Sequence, residues 1–141
     1  NKFSFTPKKE IYKLFDDVRY VAASKNWIID SERLEINRDN KYLRFTKNVK
    51  AKNNDYRVSG EVLNMRFNNK EFKEKNYKEL RMFGNVVFIN NDIKITSNKL
   101  KHMRGSDEVI FTDDVEIYKE EYKIEGDRLI YDIVKKKITV S

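Results

Sequence analysis

Apolar and polar residues alternate with a period of two along most of this chain. In the C-terminal stretch Val109, Phe111, Val115, Ile117, Tyr122, Ile124, Leu129, Tyr131 and Ile133 fall on one face. Glu116, Lys123, Glu125, Arg128, Asp132 and Lys137 fall on the other. Alternation of this kind predicts half-buried antiparallel strands, one face on a core and one in water. Asp113-Asp114, Glu120-Glu121, Gly126-Asp127 and the lysines at 135–137 punctuate the runs as turn formers. At an ordinary strand length of about 5 residues, this predicts roughly four short strands per unit and about fifteen in all.

The pattern is a repeat. Ser31, Gly60, Ser97 and Gly126 recur at intervals of 29, 37 and 29 residues. The preceding copy offers Leu80, Met82, Val86, Phe88, Ile93, Ile95 and Leu100 to the inner face, and the copy before it Leu43, Phe45, Val49, Ala51, Tyr56, Val58, Leu63 and Met65. In a degenerate first copy, Leu14 to Tyr20 echoes Phe111 to Ile117, and Trp27, a candidate core plug, precedes Ile29, Leu34 and Ile36. Each small residue reads as a corner where a strand bends from one sheet to the facing one, since a residue poor in Cβ atoms permits a tight bend or bulge. A plain hairpin turn is the simpler alternative. The segment Asn68 to Glu79 is a polar insertion with Phe72 and Tyr77 off any helical stripe, so a loop or extended hairpin is expected there. Repeats that cannot bury a face alone stack into one core. The expected fold is therefore all-β, a twisted open jelly-roll over residues 1–141 as one domain.

Composition narrows the chemistry. The chain has no cysteine, which removes disulfides, Cys-based metal sites and thiol nucleophiles. Its single histidine, His102, takes the inward position held by Tyr131 in the next copy and has no second His to form a triad or zinc site. Asp16-Asp17 and Asp113-Asp114 occupy equivalent places in the repeat, which favours a structural turn over an acid–base pair. Phosphate loops, nucleophile elbows and zincin motifs are missing, so neither an enzyme nor a cofactor or metal is expected. A formal net charge of +7 permits an anionic partner. Lysines alternate with acids on the outward faces, and Phe45, Phe88, Phe111, Tyr122 and Tyr131 lie inward, so no nucleic acid is expected. No run of 18 apolar residues exists to span a membrane as a helix. The chain begins at Asn1 rather than Met, which leaves room for a signal peptide or anchor ahead of it.

Two facing sheets with so many inward apolar side chains predict an elongated apolar channel suited to acyl chains, each methylene withdrawn from water contributing about 0.8 kcal/mol. The final strand, Lys136 to Ser141, has neither Pro nor Gly and offers an edge for pairing.

Phe45-Thr46-Lys47-Asn48-Val49, Phe83-Gly84-Asn85-Val86 and Phe111-Thr112-Asp113-Asp114-Val115, with Val58-Ser59-Gly60-Glu61 and Ile124-Glu125-Gly126-Asp127, resemble the repeat of the OstA-like lipopolysaccharide-transport family, the periplasmic LptA and LptC proteins. Lys47 and Asp113 stand where that family usually has Gly. The resemblance covers the chain from about Leu14 onward. It implies a periplasmic bridge component, LptC-like or LptA-like, tethered to the inner membrane in the first case and soluble in the second. It also implies lipid A acyl chains held between the sheets by Phe45, Val49, Val86, Phe88, Ile93, Ile95, Leu100, Phe111, Val115, Ile117, Tyr122, Ile124, Leu129 and Tyr131. The partner edges it implies are Phe3 and Phe5 at one end and Ile138 and Val140 at the other. Expected partners are lipopolysaccharide or a related glycolipid, other jelly-roll domains of LptA, LptC and the LptD N-terminus, the inner-membrane LptF and LptG, and further copies head to tail. A self-assembling structural β-repeat protein without lipid cargo is the alternative reading, with a nucleic-acid-binding β module ranked behind it.

Overall fold

The structure is a computed structural model that describes residues 2–6, 10–22, 26–73, 77–91 and 93–141. Ten strands follow one another: β1 (Lys2–Thr6), β2 (Ile11–Val21), β3 (Ile28–Asn37), β4 (Tyr42–Lys52), β5 (Arg57–Phe67), β6 (Tyr77–Asn90), β7 (Ile93–Met103), β8 (Glu108–Lys119), β9 (Tyr122–Asp132) and β10 (Lys137–Val140). They form one antiparallel sheet in sequence order, with each strand paired to the next. The all-β open jelly-roll expected from the alternation is the fold found. Its strands are fewer and longer than the expected fifteen, most of them 10 to 14 residues.

The reason lies in the dipeptides that look like turns. Asp16-Asp17, Lys47-Asn48, Asp113-Asp114 and Gly84-Asn85 sit in the middle of β2, β4, β8 and β6, and all eight residues have positive φ, from 46° to 80°. Each pair faces a single residue on the following strand: Glu32, Glu61, Asp127 and Asn98 respectively. Two residues against one is a β-bulge, which bends the strand without ending it. Asn, Asp and Gly are the residues that reach the left-handed region at least cost. Before each facing residue stands a small one: Ser31, Gly60, Ser97 or Gly126. Ser31 and Ser97 turn their hydroxyls back to donate to the carbonyls of Arg33 and Lys99, at 2.8 and 2.9 Å. At Gly60 a Cβ would fall 2.8 Å from the Met82 side chain. Polar side chains tie the line together, Asn85 to Glu61 at 2.8 Å, Asn48 to Glu32 and Asn98 to Asp114.

The line of bulges folds the sheet into two arms. The long arm holds β1, β10 and the segments of β2 to β9 that include Phe15, Leu34, Phe45, Leu63, Met82, Leu100, Phe111 and Leu129. The short arm holds the remaining segments of the same eight strands, which include Tyr20, Ile29, Val49, Val58, Phe88, Ile95, Ile117 and Ile124. Their inner faces meet. Tyr20 packs edge-on against Phe45 at 5.9 Å, and Phe88 against Phe111 at 5.1 Å and Tyr131 at 5.8 Å. Trp27 is buried and packs edge-on against Tyr56, as expected of a core plug.

In the insertion, residues 74–76 lie outside the described residues. Asn68 to Lys73 contain no helix, and Phe72 folds back to pack edge-on against Phe67.

Candidate functional site

The fourteen residues expected to line a channel fall into two groups. Twelve of them, Phe45, Val49, Val86, Phe88, Ile93, Ile95, Leu100, Phe111, Val115, Ile117, Leu129 and Tyr131, are buried and belong to one continuous core. Strand alternation puts them on the two facing arms, where their side chains meet and fill the interior.

Tyr122 and Ile124 depart from the packed interior expected of them, being 70% and 48% exposed. Register places Ile124 opposite buried Ile117 on the inner face. However, β10 covers β9 only from Leu129 to Asp132, so the segment from Tyr122 to Glu125 is an uncovered edge. Burial needs neighbours on both sides, and here one side is missing.

The opposite end of the sheet is open in the same way. β1 pairs only with Ile11–Phe15, so among the described residues no strand lies outside Val18–Val21 of the short arm. Phe3 and Phe5 lie on β1 with ring contacts to Tyr12 at 5.9 and 4.5 Å, yet are 62% and 43% exposed. Apolar surface is thus offered at both ends.

Along the side opposite the bulges, where the tips of the arms meet, hydrogen bonds cross between the arms beside ring contacts such as Phe88 to Tyr131. The Tyr56 hydroxyl lies 2.7 Å from Nδ1 of His102, whose Nε2 lies 2.8 Å from the Ser106 carbonyl oxygen. A carbonyl only accepts, so Nε2 carries the hydrogen and Nδ1 accepts from Tyr56. One pair of strands further along, the Tyr131 hydroxyl donates to Oδ1 of Asn90 at 2.8 Å, and Asn90 donates in turn to the Asp55 carbonyl. Neither Tyr56 nor Asn90 stands out as functional in the sequence, although a polar residue two positions after Phe88 interrupts the apolar inner row.

Burial pushes the His102 imidazole below its ordinary value of 6.5, opposed by its bond to Ser106 and by Asp55 and Asp107. Burial also pushes the Tyr56 hydroxyl up, so it remains a donor. The imidazole is therefore neutral in the folded state where the unfolded chain already protonates it. Stability is expected to fall as pH drops from about 6.5 towards the lowered folded value, then to level off. Urea titrations from pH 7.5 to 5 should show that loss, and His102→Gln should reduce it.

On the outer face of the long arm, Glu79 is buried and compensated by Arg81 at 3.2 Å, Arg66 at 3.8 Å and Lys101 at 4.0 Å. Among the described residues, no cluster of three or more His, Cys, Asp or Glu is placed to hold a metal. No described helix is long and apolar enough to cross a membrane.

No curated protein sequence matches the chain. Among solved structures, it is similar to LptH of Pseudomonas aeruginosa, the LptA-homologous periplasmic component of a lipopolysaccharide transport device. That likeness has a TM-score of 0.70 at 11% identity, covering 82% of this chain and 81% of the other, and concerns the fold alone. The model of a family described as LptA/(LptD N-terminal domain) LPS transport protein matches residues 28–137, from β3 to the start of β10. With the repeated bulge-and-small-residue corner and the two-armed sheet, this match settles the kinship: the chain belongs to the LptA/LptD N-terminal domain family of lipopolysaccharide transport proteins.

Proposed function

We propose that the chain is a non-enzymatic bridge module of lipopolysaccharide transport, LptC-like or LptA-like, working in the periplasm. It shelters lipid A acyl chains between its two arms and docks to neighbouring jelly-rolls through its edge strands. The observation that carries this reading is the pairing of one continuous apolar interior with uncovered apolar ends. Phe3 and Phe5 at one end and Tyr122, Ile124 and Val140 at the other leave the inner face accessible along the sheet axis.

The edges suit strand addition. Ser141 and Arg128 exchange both backbone hydrogen bonds. In an antiparallel ladder the alternate residues then point their N–H and C=O groups away. Ile138 and Val140 therefore offer donors and acceptors to a further strand.

The packed interior favours a second reading, a stacking repeat protein that carries no lipid. Photo-reactive residues separate the two. Placed at Phe111 and Ile117 in cells making lipopolysaccharide, they should capture the lipid, whereas one at outward Lys123 should not. Oligomers that label at none of these sites would favour the second reading, and equal labelling inside and outside would rule out a channel.

A further inference from the structure

Among the described residues, side chains alone shut the interior along its long side. At the bulge line the arms cannot part, because β2 to β9 run through it unbroken. At the tips the situation differs. Among the described residues, every backbone hydrogen bond there stays within one arm, such as Asn53 to Tyr56 in the short arm and Arg104 to Lys78 in the long arm. Hydrogen bonds from Tyr56 to His102 and from Tyr131 to Asn90 join the arms across the tips, and beside them Phe88 of the short arm packs on Phe111 and Tyr131 of the long arm.

Polar bridges are an odd choice for mere closure. Phe and Leu at these positions would bury as much surface without the penalty that threatens an unpartnered buried polar group. Hydrogen-bonded pairs have one property that apolar pairs lack. When they part, water or a ligand's hydroxyl and amide groups take over both partners, so the bridges themselves add only the small net value of each bond to the cost of opening. Against the His102 side of the first bridge lies a vestibule of about 600 Å³, lined by Asn26, Asn53, Asn54, Asp55, Arg104 and Asp107 among others. Amides, carboxylates and a guanidinium of this kind hydrogen-bond to both donors and acceptors of a polyhydroxylated headgroup.

We infer that the Tyr56–His102 and Asn90–Tyr131 bridges form a gate, and that acyl chains pass sideways between the tips when it opens, while the headgroup waits in the vestibule. This inference rests on the reading that acyl chains lie between the arms. Once the gate has opened, the acyl chains re-cover the apolar surface exposed by the parting arms. The bridges close again on a filled or an empty interior, so the gate sets the rate of loading.

The chain has no cysteine, so a pair can be introduced cleanly. Asn54 and Asp107 are exposed, line the same vestibule from opposite arms and take no part in the bridges through their side chains. Asn54→Cys with Asp107→Cys, joined by a reducible bis-maleimide, holds the tips together. The rate of photo-labelling by purified lipopolysaccharide, read from a photo-reactive residue at Phe111, reports loading. Joining the tips should slow it at least tenfold, and reducing the linker should restore it. Tyr56→Phe keeps the ring packing and removes one bridge, so it should load roughly fivefold faster, the factor worth one net hydrogen bond. Equal rates for the joined and reduced forms would overturn the gate and make the sheet ends the route, leaving the cargo reading intact. If no form labels, the unmodified protein included, the cargo reading itself fails and takes the gate with it. A melting temperature of the joined form at or above that of the unmodified protein shows that the linker has not disrupted the fold.

Discussion

Phe88→Ala is expected to lower the unfolding free energy by about 3–5 kcal/mol, the usual cost of deleting a buried ring from a core that cannot collapse around the loss. Phe88 is fully buried on β6 and touches three rings from separate parts of the sheet. Tyr56 lies at 4.7 Å, Phe111 at 5.1 Å and Tyr131 at 5.8 Å. It therefore joins the short arm to the long arm where the bulge line does not. Domains of this size have about 5–15 kcal/mol of stability in total, so the variant gives up a large share of it. Phe88→Leu should lose far less, about 1–2 kcal/mol, because most of the volume remains. Urea unfolding followed by circular dichroism checks both. The midpoint should move in that order with the slope unchanged, since a changed slope would mean that the folded or unfolded ensemble had altered.

Replacing both Ile138 and Val140 with proline is expected to abolish head-to-tail association. The register of β10 is the warrant. Because Ser141 and Arg128 bond to each other on both sides, Ile138 and Val140 turn their N–H groups towards the open edge. Proline removes those donors and sets its ring in the path of an incoming strand, while the bonds from Thr139 to β9 are of the kind it leaves in place. Some packing is lost, since Ile138 rests on the core and Val140 on Gly126. The stability cost should be about 1–2 kcal/mol. Association should weaken by more than a hundredfold, because a strand-addition interface draws its affinity from main-chain bonds. Sedimentation over a wide concentration range would show it, with oligomers in the unmodified chain and monomers in the double variant. Unchanged oligomers would place the interface elsewhere.

The period-two alternation was enough to read the inner face, because side-chain direction in a strand is a local property. Phe45, Phe88, Phe111 and Tyr131 are all found inside, where alternation puts them. The corners were legible for a similar reason, since Ser31, Gly60, Ser97 and Gly126 are small in every copy. The strand count was not legible. Asp113-Asp114 has the same composition whether the chain reverses there or continues through a bulge. Only the partner strand decides, and here Gly126 and Arg128 pair on either side of the interruption. Tyr122 and Ile124 show the limit in another form: alternation gives the face a residue points to, and burial depends on whether a neighbouring strand covers it. The bridges across the tips lay beyond sequence reading, because Tyr56 and His102 are 46 positions apart and Asn90 and Tyr131 are 41. His102 was legible as an inward, packed residue, whereas its partner was not.

The most direct test of the account is where acyl chains make contact. With methyl-labelled protein and purified lipopolysaccharide, intermolecular nuclear Overhauser effects from acyl methylenes should reach the methyl groups of Ile95, Ile117 and Leu129, which are buried between the arms. They should be missing at Val87, Ile110 and Ile130 on the outer faces. Contacts confined to the outer methyl groups, or spread equally over both sets, would contradict the claim that this sheet carries lipid between its arms.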